Sequence, residues 1–187
     1  MKRIRLAPLL LLAAPVWISA CDSGNGQDDP VRRAFVTRIV IDEFPALDPA
    51  TGEGWDGGSA TSTSEADLYF RILGSGGLSL LNGEESDLVT TDGQAGSRHF
   101  RNAGPADLPV GFTVNDFLID ALDRSLAIEL KDDDSDVLNA DDVIGLSISF
   151  RLEDHIPDPL PADRRASIPF ESADGLVRGR MTVRFST

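Results

Sequence analysis

From Phe35 onward, apolar and polar residues alternate with a period of two, the pattern of strands that bury one face. Ile144, Leu146, Ile148, Phe150 and Leu152 stand opposite Gly145, Ser147, Ser149 and Arg151. In residues 176–185, Val177, Met181, Val183 and Phe185 alternate with Arg178, Arg180, Thr182 and Arg184. Leu126, Ile128 and Leu130 make a third strand, Phe35, Thr37, Ile39 and Ile41 a fourth, and Leu68, Phe70 and Ile72 a fifth. Shorter candidates are 78–81, 87–90 and 110–114. One stretch looks helical: in Asp116–Asp123, Phe117 pairs with Ala121 and Leu118 with Leu122 at i, i+4. It is too short to define the class. One-faced strands separated by Gly-, Pro- and Asp-rich turns predict an all-β, antiparallel sandwich. No internal repeat interrupts it, so residues 34–187 are expected to form one domain.

The chain before that domain reads as an address. Lys2, Arg3 and Arg5 precede an apolar run from Leu6 to Ile18, broken by Pro8 and Pro15. The run is short for a bilayer span and fits a secretory signal region. It ends in Ile18-Ser19-Ala20-Cys21. This resembles the lipobox of bacterial lipoproteins, in which the signal is cut before a cysteine that becomes lipidated. The resemblance implies a signal peptide over 1–20, an acylated Cys21 and an extracytoplasmic, lipid-anchored place in the cell envelope. Each buried methylene adds about 0.8 kcal/mol to such an anchor. Residues 22–33 are expected to be a polar tether. Whether the inner or the outer membrane holds the anchor stays open.

Charge narrows the function. The 187 residues carry 17 Lys and Arg against 31 Asp and Glu, a net −14. Loss of residues 1–20 leaves 14 basic residues and a net −17. That balance argues against a nucleic-acid partner, which needs clustered basic residues. The single Cys excludes a disulfide framework and a Cys-based zinc site. Only His99, His155 and Tyr69 offer general-base candidates beyond carboxylates, and both histidines read as ordinary surface or edge residues. Ser62 and Ser64 lack a nucleophile elbow, and the Gly-rich stretch 52–58 lacks the ending of a phosphate loop. No catalytic residue is assigned, and an enzyme is not expected. A carboxylate hydrolase with Trp55 as its sugar platform is the weakest reading. Arg178, Arg180 and Arg184 are read as a solvated face balancing the acidic loops.

Two of those loops are unusually acidic. One runs from Phe44 through Asp48, Trp55 and Asp56 to Asp67; the other, 132–142, holds six Asp in eleven positions. Two bare carboxylates about 4 Å apart repel by roughly 1 kcal/mol in water and about 4 kcal/mol near a protein surface. Such crowding is costly unless a cation compensates, and oxygen donors without His or Cys select calcium. An antiparallel return from 126–131 to 143–151 would bring Asp132 and Asp134 near Asp142. An EF-hand does not fit, because Val137 and Val143 occupy its glycine and glutamate positions.

Leu126-Ala-Ile-Glu-Leu-Lys-Asp-Asp-Asp, followed by Asp141-Asp142-Val143-Ile144-Gly145, resembles the third calcium loop of C2 domains. Phe44-Pro-Ala-Leu-Asp48 and Ala66-Asp67-Leu-Tyr-Phe-Arg-Ile72 are similar to the first C2 loop and the strand after it. Leu108-Pro-Val-Gly-Phe-Thr-Val114 resembles a Pro-x-Trp segment of the family, with Gly111 in place of Trp. Leu68 replaces the usual Pro, and the basic cluster of phosphoinositide-binding members is absent. The resemblance implies an eight-stranded C2-like sandwich with Ca²⁺ as its cofactor. Its ligands would be Asp48 and Asp67 from the first loop and Asp132, Asp134 and Asp142 from the third. Asp136 is a sixth candidate, and Asp56 and the Asp133 carbonyl are additional ones. Asp133 and Asp141 side chains are expected to point away or to support the ligands.

The function expected is a lipid-anchored module that uses Ca²⁺ to bind an anionic lipid, glycan or protein. The alternative is a metal-free structural or adhesive sandwich whose acidity serves solubility.

Overall fold

The computed structural model describes residues 30–55, 65–134 and 141–187. The lipobox with Cys21, the residues before Pro30, and Asp56, Ser62, Ser64 and Asp136 lie outside the described residues. The strands are β1 (Arg33–Glu43), β2 (Ala66–Leu73), β3 (Ser79–Asn82), β4 (Val89–Thr91), β5 (Phe100–Ala103) and β6 (Val110–Ile119). They continue with β7 (Ser125–Asp132), β8 (Val143–Leu146), β9 (Phe150–Arg151), β10 (Arg165–Glu171) and β11 (Arg178–Ser186). Five form one antiparallel sheet in the order β10-β11-β1-β6-β4. Six form the other, with β3-β2-β7-β8 as its spine, β5 on β2 and β9 on β7. The fold is an all-β antiparallel sandwich, with no α-helix among the described residues.

The alternation read from the sequence supplies the core. Val36, Ile39 and Ile41 of β1, Phe112 of β6 and Met181, Val183 and Phe185 of β11 face Leu68, Phe70 and Ile72 of β2 and Ile128 and Leu130 of β7. Phe70 and Phe112 meet across the two sheets, ring centroids 5.2 Å apart and nearly edge-on. Gly179 lets β11 lie flat on β1, because a Cβ there would collide with the Val40 carbonyl and the Phe170 ring.

Four expectations change. The strand count is eleven among the described residues rather than eight, the surplus being pieces of two to four residues. The strand over 144–152 breaks into β8, a bridge between Ser147 and Ser172, β9 and a 3₁₀ turn over Leu152–His155. The Ile148 amide donates to the Glu171 carbonyl of the other sheet, so the chain changes sheet there and leaves Leu146 and Ile148 exposed. The helix over 116–123 is instead the end of β6 followed by a turn. Phe117 and Leu118 pair with Val36 and Phe35 of β1, hydrogen bonds a two-turn helix could not match. Finally, β10 is not among the expected strands, although Ala166, Ile168 and Phe170 alternate with Arg165, Ser167, Pro169 and Glu171; as a sheet edge it tolerates the N–H that Pro169 lacks.

Strand directions set two poles. β1 runs from Arg33 to Glu43, and β6 returns antiparallel with Ile119 opposite Ala34. The connection 120–124 is short, so β7 starts near that same end and finishes at Asp132 beside the start of β2. The end of β1, the start of β2, the end of β7 and the start of β8 therefore share one pole. The start of β1 and the end of β11 occupy the opposite pole. Eleven residues of β1 separate them by roughly 35 Å.

The arginine stripe of β11 lies on the outer face and is neutralised strand by strand. Arg180 clasps both Asp42 oxygens at 2.6 and 2.8 Å, and Arg178 reaches Glu43 at 3.1 Å and Glu171 at 3.4 Å. Arg184 meets Asp116 at 2.9 Å and covers the Phe35 ring at 4.5 Å. Exposed pairs of this kind contribute little each.

Candidate metal centre

Asp132 is the last residue of β7 and falls on its inward face, where it is wholly buried. The Asp67 amide donates to its Oδ1 at 2.6 Å. The Asp132 amide donates to the Asp142 carbonyl at 3.0 Å, and the Asp133 amide to the Asp67 carbonyl at 2.9 Å. Three expected ligand positions, Asp67, Asp132 and Asp142, thus converge on one backbone junction at the acidic pole. The Asp67 carboxylate turns toward β5 and accepts the Asn102 amide at 2.8 Å. Asp142 is exposed, and Asp134 is half-buried.

The neighbours on the outward face are committed elsewhere. Asp133 lies 3.0 Å from His99 Nδ1, and the His99 ring stands 5.7 Å from that of Tyr69. Tyr69 donates its hydroxyl to Asp141 at 2.6 Å, and Lys131 reaches the same carboxylate at 3.6 Å. Burial first, then the hydrogen bond and charge of Asp141, push the Tyr69 phenol far above its usual range, so it stays protonated. The Asp133 and Asp141 carboxylates are thus engaged by His99, Tyr69 and Lys131. His99 is half-buried and bonded to Asp133 at the edge of the sheet. Tyr69 and Arg71 share one face of β2, as Glu129 and Lys131 share one face of β7, but which residue meets which depends on register. The β2–β7 register sets Tyr69 opposite Lys131 and Arg71 opposite Glu129, an ion pair at 3.0 Å.

Asp48 sits at the same pole but closes its own turn. Its carboxylate accepts the Ala50 amide and the Thr51 hydroxyl, each at 2.8 Å, and its carbonyl accepts the Gly52 amide at 2.7 Å. The Ala50 amide, then the Thr51 hydroxyl, hold its carboxyl below the ordinary 3.8. A lowered carboxyl stabilises the folded turn above the unfolded pKa, and that contribution fades as pH falls through the folded one. A carbon-detected NMR titration is expected to place the Asp48 midpoint below 3.8, and Thr51→Val to raise it toward that value. Trp55 packs inward, its Nε1 donating to the Pro45 carbonyl at 2.9 Å, which removes it as an exposed sugar platform.

The donor chemistry suits calcium, since Asp67, Asp132, Asp134 and Asp142 offer only carboxylate and carbonyl oxygens. Their side chains are not gathered into a finished cage: among the described residues no three His, Cys, Asp or Glu side chains form a group that could hold a metal ion.

No family model matches the chain, and no curated protein matches it in sequence. Among solved structures, human GIVD cytosolic phospholipase A2 in complex with methyl gamma-linolenyl fluorophosphonate is similar over 82% of this chain and 16% of that one. Its TM-score is 0.45, at 13% identity. A structure of a C2 domain is similar over 83% of this chain and 98% of that one, with a TM-score of 0.39 and 9% identity.

Proposed function

We propose that this chain is a non-catalytic, lipid-anchored envelope protein whose sandwich binds Ca²⁺ at its acidic pole and thereby an anionic lipid, glycan or protein. The observation that carries the calcium reading is the backbone junction joining Asp67, Asp132 and Asp142 at one edge of the β2–β7–β8 sheet. Asp67, Asp132, Asp134 and Asp142 would hold the ion, with Asp136 and Asp56 as the remaining candidates. Asp48 would support from the same pole. Calcium, when bound, supplies the positive charge that the crowded carboxylates lack. The protein's own contribution is positional: the Asp67 amide fixes the Asp132 side chain, and the paired strands set the spacing of the carboxylates. The anchor reading rests on Ile18-Ser19-Ala20-Cys21 behind a basic, apolar leader.

The metal-free structural or adhesive sandwich is favoured by a different observation. Asp48, Asp67, Asp133 and Asp141 each already engage protein donors, which satisfies them without an ion.

A thermal melt of residues 22–187 with and without 1–2 mM CaCl₂ separates the two. A site of about 10⁻⁴ M affinity raises stability by about 1.5 kcal/mol at such concentrations, or roughly 3–6 °C for a domain this size. The rise is expected to vanish in the Asp132→Asn, Asp134→Asn double variant. An unchanged melt together with silent calorimetry would leave the metal-free reading standing.

A further inference from the structure

We infer that the pole opposite the aspartates is a docking surface for anionic phospholipid headgroups, formed by Arg32, Arg33, Arg164 and Arg165. The arginines of the outer faces and loops are mostly neutralised: Arg38, Arg71, Arg98, Arg151, Arg178, Arg180 and Arg184 each pair with a carboxylate. Among the described residues, Arg32, Arg33, Arg164 and Arg165 form no ion pair and all four are exposed; the other two arginines without one are Arg124, in the turn before β7, and Arg101, on β5. A chain with 31 acidic residues has ample carboxylates to neutralise them, so their grouping at one end is a property of the fold.

The topology gathers them. In the order β10-β11-β1, Arg33 stands opposite Ser186 and Arg165 opposite Arg184, so the start of β1, the end of β11 and the start of β10 are adjacent. Arg32 and Arg33 line a hollow of about 440 Å³ together with Ser186 and Thr187. Arg164 lies beside it and donates to the Thr187 hydroxyl at 3.1 Å. Arg124, in the turn before β7, adds a further cation at this end. The carboxylates facing the same pole are Asp116, held by Arg184, Glu153 and Asp154, held by Arg151, and Asp120, Asp123, Asp158 and Asp163. Asp163 accepts the Arg165 amide at 3.2 Å and so lies against the chain.

The identity of the anion follows from where the tether leaves. This step rests on the reading of Cys21 as lipidated. Cys21 precedes Arg33 by twelve residues, a contour of at most about 40 Å, so the arginine pole is the end from which the tether to the anchoring bilayer leaves. The acidic pole then points away from that bilayer. A net-acidic protein avoids repulsion from its own membrane by presenting its unneutralised cations to it. The partner of the acidic pole accordingly lies outside the anchoring membrane.

The test is sedimentation of residues 22–187, which retain all eleven strands, with vesicles in EDTA so that calcium plays no part. Binding is expected to vesicles of phosphatidylcholine with 40% phosphatidylglycerol, to be absent on pure phosphatidylcholine, and to weaken steeply with salt. Arg32→Gln, Arg33→Gln and Arg165→Gln together should lower partitioning by about fivefold per arginine removed. Arg178→Gln with Arg180→Gln, on paired residues at the far pole, should leave it unchanged. Equal partitioning on the two vesicle types, or an equal loss in both variants, would overturn the inference. Mass spectrometry of the mature envelope protein tests the anchor separately. An acylated Cys21 without vesicle preference sinks the docking surface alone. An unmodified Cys21 with intact preference keeps that surface and sinks the anchor.

Discussion

Phe112→Ala is expected to destabilise the domain by about 3–5 kcal/mol and to lower its melting temperature by about 10 °C or more. Phe112 is wholly buried on the inward face of β6, a strand hydrogen-bonded on both sides by β1 and β4. Its ring meets Phe70 of the opposite sheet at 5.2 Å, so its loss opens a cavity at the layer boundary. Strands paired on both flanks cannot shift to close that space, which puts the cost toward the upper part of the range. Urea unfolding of Phe112→Ala, Phe70→Leu and the double variant should reveal a coupling of about 0.5–1.5 kcal/mol for the ring pair. Leu118→Ala supplies the contrast, since Leu118 lies on the same strand but is 45% exposed. Its cost should stay within about 0.5 kcal/mol. Similar losses at 112 and 118 would mean that the two sheets do not pack face to face through β6.

The period of two located β1, β2, β7 and β11 because each buries one face along its whole length. It misled where burial and pairing part company. Residues 144–152 alternate without a fault, yet the chain leaves the sheet at Ser147, and periodicity says nothing about whether a neighbouring strand continues. β6 failed for the opposite reason. Between Val36–Phe117 and Arg38–Thr113, one residue of β1 faces three of β6, with Asp116 at φ 51°. That bulge breaks the alternation and leaves Phe117, Leu118, Ala121 and Leu122 at accidental helical spacing. The approach of Asp132 to Asp142 was legible, since a strand pair joined by one acidic loop can return only there. The partners of Tyr69 and His99 were not, because they depend on cross-strand register. The separation of the acidic pole from the tether pole needed strand directions, which composition does not carry.

Asp132→Ala should destabilise the metal-free protein by about 2–3 kcal/mol, a fall of roughly 5–10 °C in the melt. A carboxylate with no exposed surface is costly to bury unless protein donors satisfy it, and here the Asp67 amide does so at 2.6 Å. Alanine leaves that amide without its acceptor at the junction where β2, β7 and the Asp142 carbonyl meet. In Asp132→Asn the side-chain amide still offers a carbonyl oxygen to the Asp67 N–H. That variant should therefore retain most of the metal-free stability while losing the charge. Calcium reverses the similarity of wild type and Asp132→Asn. The wild type should gain stability on adding the ion, and both substitutions should abolish the gain, because neither leaves an anionic oxygen inside the junction. Asp133→Asn is the control: its side chain faces His99 outside the junction, so the calcium response should survive. An Asp132→Ala protein that melts with the wild type in EDTA would show that this carboxylate holds nothing together. A full calcium response in Asp132→Asn would place the ion away from β7.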